Sequence, residues 1–281
     1  MRATIFGGTG MLGKALAREW ALTDDEVASL GSKDGDLRDP QRVLEVVERT
    51  RPDWIVLSAA YTDVDGCETN RKLAFDVNSD GAVHVAQAAK RYGSRLLFIS
   101  TDYVFDGESR TPYETDAPRG PRTVYGQSKA QAEIEIAQIL PDSCIVRTSW
   151  LFGMGGKCFP DTILKLASSR PEIQVVDDQR GSPTYTNDLA RAIIQLCHMG
   201  AGGITHATNR GECSWFEFAG EIVRSSELVT DVVATTSDRF PRPAARPKYS
   251  VLSPRSLDRY EITMPEWQDA LQRYLRERLA V

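Results

Sequence analysis

Short runs in which nearly every position is apolar alternate, through the first half of the chain, with longer stretches whose apolar positions recur every three or four residues. Ala3-Thr4-Ile5-Phe6 reads as a buried strand. Residues 11–22 follow with Leu12, Leu16 and Trp20 on one stripe, which predicts a helix. Val27 to Leu30 predicts a second strand. Pro40 stands where a helix opens, and Val43, Val46 and Val47 give that helix an apolar face. Trp54-Ile55-Val56-Leu57 and Leu96-Leu97-Phe98-Ile99 predict a third and fourth strand, separated by a helical pattern over 71–92. Val124 to Leu140 predicts a helix and Cys144-Ile145-Val146 a fifth strand. Strands that are apolar throughout and alternate with helices imply a parallel sheet covered on both faces.

Beyond residue 148 the rhythm loosens. Residues 173–177 predict one more strand and 186–199 one more helix. Arg239-Phe240-Pro241-Arg242-Pro243-Ala244-Ala245-Arg246-Pro247 excludes a helix interior or a central strand and predicts an extended loop. A last helix is expected over 265–279, where Trp267, Leu271, Tyr274 and Leu275 recur at helical spacing and read as core.

Composition narrows the function classes. With 34 Lys plus Arg against 39 Asp plus Glu the net charge is −5, and no basic run is sustained. That balance argues against nucleic acid or an anionic membrane as a partner. No stretch reaches the roughly 20 apolar residues of a membrane helix. The apolar stretch after Arg2 stops at Gly7-Gly8, too early for a secretory signal core. The cysteines, Cys67, Cys144, Cys158, Cys197 and Cys213, are scattered, odd in number and without a Cys-x-x-Cys pair. A cytoplasmic protein without a disulfide framework is expected. His84, His198 and His206 are far apart, and no metal site is expected from the spacing.

The first strand runs directly into Gly7-Gly8-Thr9-Gly10-Met11-Leu12-Gly13. Gly8, Gly10 and Gly13 satisfy G-x-G-x-x-G; Gly7, Gly10 and Gly13 satisfy G-x-x-G-x-x-G. In either register the glycines allow a tight turn and close approach of a pyrophosphate. The following helix then offers its unpaired N–H groups and positive dipole end. A strand before and a helix after supply the context this motif requires, and the fold expected is a doubly wound sheet of Rossmann type. A carboxylate about 20 residues on would bind the ribose of NAD, but the second strand ends Leu30-Gly31-Ser32-Lys33. Ser32 and Lys33 suit a 2′-phosphate and favour NADPH. The alternative is that Asp34 or Asp36 fills the acidic role, with NADH as cofactor.

Tyr125 and Lys129 stand at i and i+4 at the start of a predicted helix and share one face. A nearby ammonium favours a phenolate, so Lys129 is expected to lower the Tyr125 pKa, and such a phenol donates a proton to a carbonyl oxygen as hydride arrives. Ser100-Thr101-Asp102-Tyr103 follows the fourth strand and lies at the carboxyl edge of the sheet, where ligands bind in open α/β folds. Thr101 is placed to hydrogen-bond the same oxygen.

Together these features resemble the extended short-chain dehydrogenase/reductases. Ser58-Ala59-Ala60-Tyr61-Thr62-Asp63-Val64-Asp65 with Cys67-Glu68 resembles a stretch of the dTDP-4-dehydrorhamnose reductases. So do Val77-Asn78, Ser100 to Gly107, Arg147-Thr148-Ser149-Trp150, Asp177 to Thr184, and Arg246-Pro247. The resemblance covers nearly the whole chain. It implies an NADPH- or NADH-dependent oxidoreductase that reduces the C4 ketone of dTDP-4-dehydro-6-deoxy-L-mannose to give dTDP-L-rhamnose. Tyr125 would donate the proton, Lys129 would tune it and hold the nicotinamide ribose, and Thr101 would orient the ketone. Gly7, Gly10, Met11, Leu12 and Gly13 would form the pyrophosphate turn, and Asp36 and Leu37 would bracket the adenine. Ala60, Tyr61 and Thr62 would line the cofactor cleft. Asp102, Trp150 and Val64 would meet the sugar. Residues 1–150, with help from 172–199, would form the dinucleotide-binding part, and 151–281 mainly a smaller α/β sugar-nucleotide-binding region.

One departure stands out. Some members bind magnesium at a dimer interface through a glutamate shortly after the glycine motif, where this chain has Lys14-Ala15. The resemblance therefore leaves monomer and homodimer both open. Arginines of the 239–247 loop, Arg246 foremost, are candidates for a substrate-pyrophosphate clamp, against a plain solvated loop. A reductase of another nucleotide-linked 4-keto-deoxysugar is the alternative activity, and a non-catalytic nucleotide-binding regulatory subunit the third reading.

Overall fold

The computed structural model describes residues 1–280. The first half contains β1 (Arg2–Phe6), α1 (Met11–Trp20), β2 (Glu26–Leu30), α2 (Pro40–Thr50), β3 (Trp54–Leu57) and α3 (Val64–Thr69). It continues with α4 (Arg71–Phe75), a π-helical turn (Asp76–Asp80), α5 (Gly81–Tyr92), β4 (Arg95–Thr101), α6 (Val124–Ile139) and β5 (Cys144–Thr148). The second half contains β6 (Leu151–Phe152), α7 (Phe159–Ala167), β7 (Glu172–Val176), β8 (Arg180–Gly181), β9 (Thr184–Tyr185) and α8 (Thr186–His198). After these come β10 (Gly203–His206), β11 (Cys213–Ser214), α9 (Trp215–Ser225), β12 (Asp231–Thr235) and α10 (Trp267–Leu279).

Six strands form one sheet in the order β10-β5-β4-β3-β1-β2, with every pairing parallel. All residues of β3 and β5 are buried, as strands covered on both faces require. On one face Leu12, Leu16 and Trp20 of α1 pack with Leu189, Ile193 and Leu196 of α8. On the other, Val43, Val46 and Val47 of α2 meet Val85, Ala86 and Ala89 of α5 and Ile136 of α6. Each such fully buried Val or Leu contributes about 1.5–3 kcal/mol. The chain winds outward from β1 to β2 and returns to β3, so the order reverses between β1 and β3. The crevice at the carboxyl ends of these strands is the binding position of open α/β sheets. The expected doubly wound Rossmann-type fold is the observed one.

Several elements differ from the sequence pattern: no helix is expected where α7 and α9 lie, and two strands differ in place. β10, with Ile204 as its one strong apolar residue, extends the sheet beyond β5, although no strand is expected there. Its place is fixed by tertiary pairing, not by propensity. The strand expected at 173–177 exists as β7, but it pairs with β12 in a separate two-stranded parallel sheet. A further apolar cluster, including Phe152, Phe218, Trp267, Leu271 and Tyr274, fills the second half. No helix among the described residues is long and apolar enough to cross a membrane.

Candidate active site

A cleft of about 680 Å³ opens at the carboxyl edge of the sheet. It runs from the turn after β1, past Ser32 and residues 35–38, along Ser58-Ala59-Ala60, to the ends of β4 and β5 and the start of α6. Its first wall depends on missing side chains. Gly7 has φ +94°, and a Cβ there would lie 2.5 Å from the Ala59 nitrogen. A Cβ on Gly13 would lie 2.1 Å from the Gly7 oxygen. These contacts let α1 start directly against β1. Gly10 caps α1 without a side-chain hydrogen bond, and the first turn carries no carboxylate. Its N–H groups and dipole are left for an anion, which fits a dinucleotide pyrophosphate.

At the other end, Ser32, Asp36, Leu37 and Arg38 line the cleft. Asp36 is not a free acidic group. Arg38 Nη2 donates to its Oδ2 at 2.6 Å and Arg38 Nε to its Oδ1 at 3.0 Å. The hydrogen bond from Arg38 holds the Asp36 carboxyl below its usual range. Asp34 serves the turn instead, accepting from the Gly31 N–H at 3.2 Å. Ser32 and Arg38 line the cleft, whereas Lys33 is not among its lining residues.

The floor carries Thr101, Asp102, Tyr125 and Lys129. α6 begins where Thr123 accepts from the Gly126 N–H at 3.0 Å and Glu68 Oε1 accepts from the Val124 N–H at 2.9 Å. Gly126 brings the helix against the turn after β4, since a Cβ there would lie 2.2 Å from the Tyr103 oxygen. That contact fixes Tyr125, whose ring meets Tyr103 edge-on at 5.6 Å. Thr101 Oγ1 donates to Asp102 Oδ1 at 2.9 Å and accepts from the Tyr103 N–H at 3.3 Å. Asp102 Oδ2 is buried without a partner, as is Thr148 Oγ1 at the neighbouring strand end. Burial pushes the Asp102 carboxyl up to about 6.

The electrostatics correct one expectation. Lys129 does not lower Tyr125 in the free protein: burial raises the phenol above its ordinary value. Lys129 is itself buried, its Nζ 3.9 Å from the centre of the Phe98 ring, and burial pushes its ammonium down to about 7. A dry pocket disfavours both charged forms, and this outweighs their attraction.

A second correction concerns Tyr61. Asn78 grips its backbone, accepting from the N–H at 2.7 Å and donating to the carbonyl at 3.1 Å. Ala60, Thr62 and Val64 line the cleft, whereas Tyr61 is not among its lining residues and packs on Cys67, Ala74 and Val124. Trp150 does line the cleft. It has φ +48° and stacks on Trp215 with ring centroids 3.5 Å apart and planes 6° apart. Arg246 lies outside the lining, donating to Asp65 Oδ2 of α3 at 2.8 Å, with Arg242 3.8 Å from the same atom.

The family model described as RmlD substrate binding domain matches residues 1–279. A dTDP-4-dehydrorhamnose reductase of Streptomyces griseus is 42% identical over 260 residues, covering 89% of this chain and 85% of that protein. The chain belongs to the dTDP-4-dehydrorhamnose reductase family. This is a family of NAD(P)H-dependent oxidoreductases. The spore coat polysaccharide biosynthesis protein SpsK of Bacillus subtilis is also similar, 42% identical over 99% of this chain and 98% of its own length. Among solved structures, the Bacillus anthracis dTDP-4-dehydrorhamnose reductase in complex with NADP superposes with a TM-score of 0.96. It is 39% identical and the match covers 98% of this chain and 99% of that one.

Within this reductase family frame, Arg38 and Thr148 are cleft residues that the sequence reading passes over. Arg38 is two residues beyond Asp36 and gives no periodic signal. Thr148 sits in the Arg147-Thr148-Ser149-Trp150 stretch just past a strand, a position that marks ligand-facing residues in this fold.

Proposed function

We propose that this protein reduces the C4 ketone of dTDP-4-dehydro-6-deoxy-L-mannose with NADPH, giving dTDP-L-rhamnose. The observation that carries the reading is one continuous cleft. It joins the glycine turn after β1 to a floor lined by Tyr125, Thr101 and Asp102, whose Oδ2 is unpaired. The glycine turn, Met11, Leu12 and Leu37 would hold the cofactor, and Arg38 with Ser32 would meet a 2′-phosphate. When bound, NADPH supplies a hydride. Tyr125, protonated because burial holds its phenol high, gives its proton to the ketone oxygen as negative charge develops there. Thr101 hydrogen-bonds the same oxygen. Lys129 stabilises the phenolate left behind, and Tyr125 regains its proton from solvent through the cleft. Asp102 Oδ2 accepts from a sugar hydroxyl, and Trp150 and Val64 shape the sugar side. Residues 1–150 mainly serve the cofactor and 151–281 the nucleotide sugar.

The test is consumption of reduced nicotinamide with freshly generated keto sugar. Tyr125→Phe is expected to lower turnover by about 10²–10⁴-fold, the usual contribution of a positioned general acid. Cofactor binding by wild type without reduction of this sugar would move the assignment to another 4-keto-deoxysugar, examined with a panel.

A further inference from the structure

Glu133 lies one helical turn beyond Lys129, on the same face of α6, and no part of the mechanism above uses it. It is fully buried, yet four donors surround it. Its Oε1 accepts from Arg147 Nε at 2.8 Å and Ser100 Oγ at 2.6 Å. Its Oε2 accepts from Arg147 Nη2 and Arg119 Nε, each at 2.7 Å. Ser100 and Arg147 face each other in the β4–β5 register, so one carboxylate ties α6 to both strands beneath the cleft. Arg147 is buried as well, and its Nη1 donates to the Thr115 carbonyl at 3.1 Å.

Stability alone does not account for this pair. Replacing a buried ion pair with well-packed apolar residues is often neutral or stabilising. Position does account for it. Protonated Lys129 is a buried ammonium, and Glu133, four residues further along the same face of α6, is the acidic group whose field favours that charged form. We propose that Glu133, clamped by Arg147, Arg119 and Ser100, is a positioning residue for Lys129. It sets the seat of the active helix on the sheet and the field in which the ammonium works. This rests on the reductase reading given above.

Other charged groups around α6 are engaged elsewhere. Asp102, Tyr103 and Cys67 face Tyr125 at the helix start. Glu68 caps Val124, Arg71 donates to Gln127, Asp76 pairs with Lys72 and Glu135 accepts from Ser79. Asp80 is exposed, and His206 touches Arg147, at 3.3 Å, where burial and then that guanidinium keep it neutral.

Two variants with opposite signs test the proposal. Glu133→Gln removes the negative charge, so Lys129 is expected to lose its proton at a pH lower by about one unit. Arg119→Gln removes a partly exposed cation that compensates Glu133, so the midpoint is expected to rise by a few tenths of a unit, roughly. The direct readout is an NMR titration of ¹⁵N-labelled lysine Nζ in the free protein, with Lys129 assigned by Lys129→Met. The alkaline limb of kcat/KM should move in the same two directions. A Lys129 midpoint unmoved in both folded variants overturns the proposal. If Glu133→Gln does not fold, Arg119→Gln decides: an upward shift supports it and no shift overturns it. Absence of ketone reduction by wild type would overturn the reductase reading. Tyr125-dependent reduction with an invariant limb would overturn this inference alone.

Discussion

Gly181→Ala should break the seat of Trp150 without touching the cofactor half of the cleft. A Cβ built on Gly181 lies 2.4 Å from Trp150 Cε2, 2.6 Å from Nε1 and 2.7 Å from Cζ2. The indole cannot retreat, because Trp215 stacks against it at 3.5 Å. Trp215 is backed in turn by Phe159, at 4.5 Å between ring centroids. Relief therefore requires the ring to shift by about 1 Å or the β8 backbone to move, and overpacking of this kind costs about 1–3 kcal/mol. Loss of the ring stack adds about 0.5–1.5 kcal/mol. At about 2–4 °C per kcal/mol for a chain of this order of size, Tm should fall by roughly 3–18 °C. If about 1–2 kcal/mol of the displacement is felt by the bound sugar, its KM rises about 5–30-fold. The Kd for NADPH should stay within about twofold, since the glycine turn is untouched. Thermal melts, steady-state kinetics and the circular dichroism of the stacked indoles check each part. A variant with the melt, KM and indole signal of wild type would show that Gly181 does not seat Trp150.

Two further outcomes follow from the electrostatics. Burial holds the Asp102 carboxyl up near 6, above its unfolded value of 3.8, so the folded chain binds that proton more tightly. The stability this contributes is present below pH 3.8 and is lost as pH rises through 6, about 3 kcal/mol at most. Asp102→Asn should flatten that window and raise Tm at pH 7.5 while raising the sugar KM; denaturant titrations at pH 4 and pH 7.5 with the same difference in both proteins would contradict this. Arg38→Gln should raise the KM for NADPH about 10-fold, the worth of a charge-assisted hydrogen bond, and leave that for NADH nearly unchanged. Equal effects on both cofactors would remove Arg38 from the 2′-phosphate.

The fold was legible where one residue type dominates a local decision. The apolar runs of β1, β3, β4 and β5 can only be buried strands, and the glycines after β1 place a tight turn before a helix. α2 is marked by Pro40, and Asp39 indeed caps it by accepting from the Gln41 and Arg42 N–H groups. β10 was not legible, because Gly203-Ile204-Thr205-His206 becomes a strand only beside β5. α9 has a readable start that the apolar pattern alone misses: Ser214 and Glu217 form a capping box. α7 likewise follows Pro160 in its first turn. At the site, Thr101, Asp102, Tyr125, Lys129 and Trp150 meet in one cleft from three separated segments. Spacing along α6 relates Tyr125 to Lys129, but it does not show that Lys129 faces Phe98 or that Glu133 lies under it. Nor does the Ala60-Tyr61-Thr62 run show that Ala60 and Thr62 line the cleft while Tyr61 does not.

In the proposed reaction Tyr125 protonates a nucleotide-linked C4 ketone while reduced nicotinamide is consumed. The most direct measurement is the loss of reduced-nicotinamide absorbance with dTDP-4-dehydro-6-deoxy-L-mannose, using wild type and Tyr125→Phe at equal NADPH saturation. The prediction is rapid loss with wild type and a rate lower by about 10²–10⁴-fold with the variant, at similar Kd for NADPH. Full turnover by Tyr125→Phe would contradict the account.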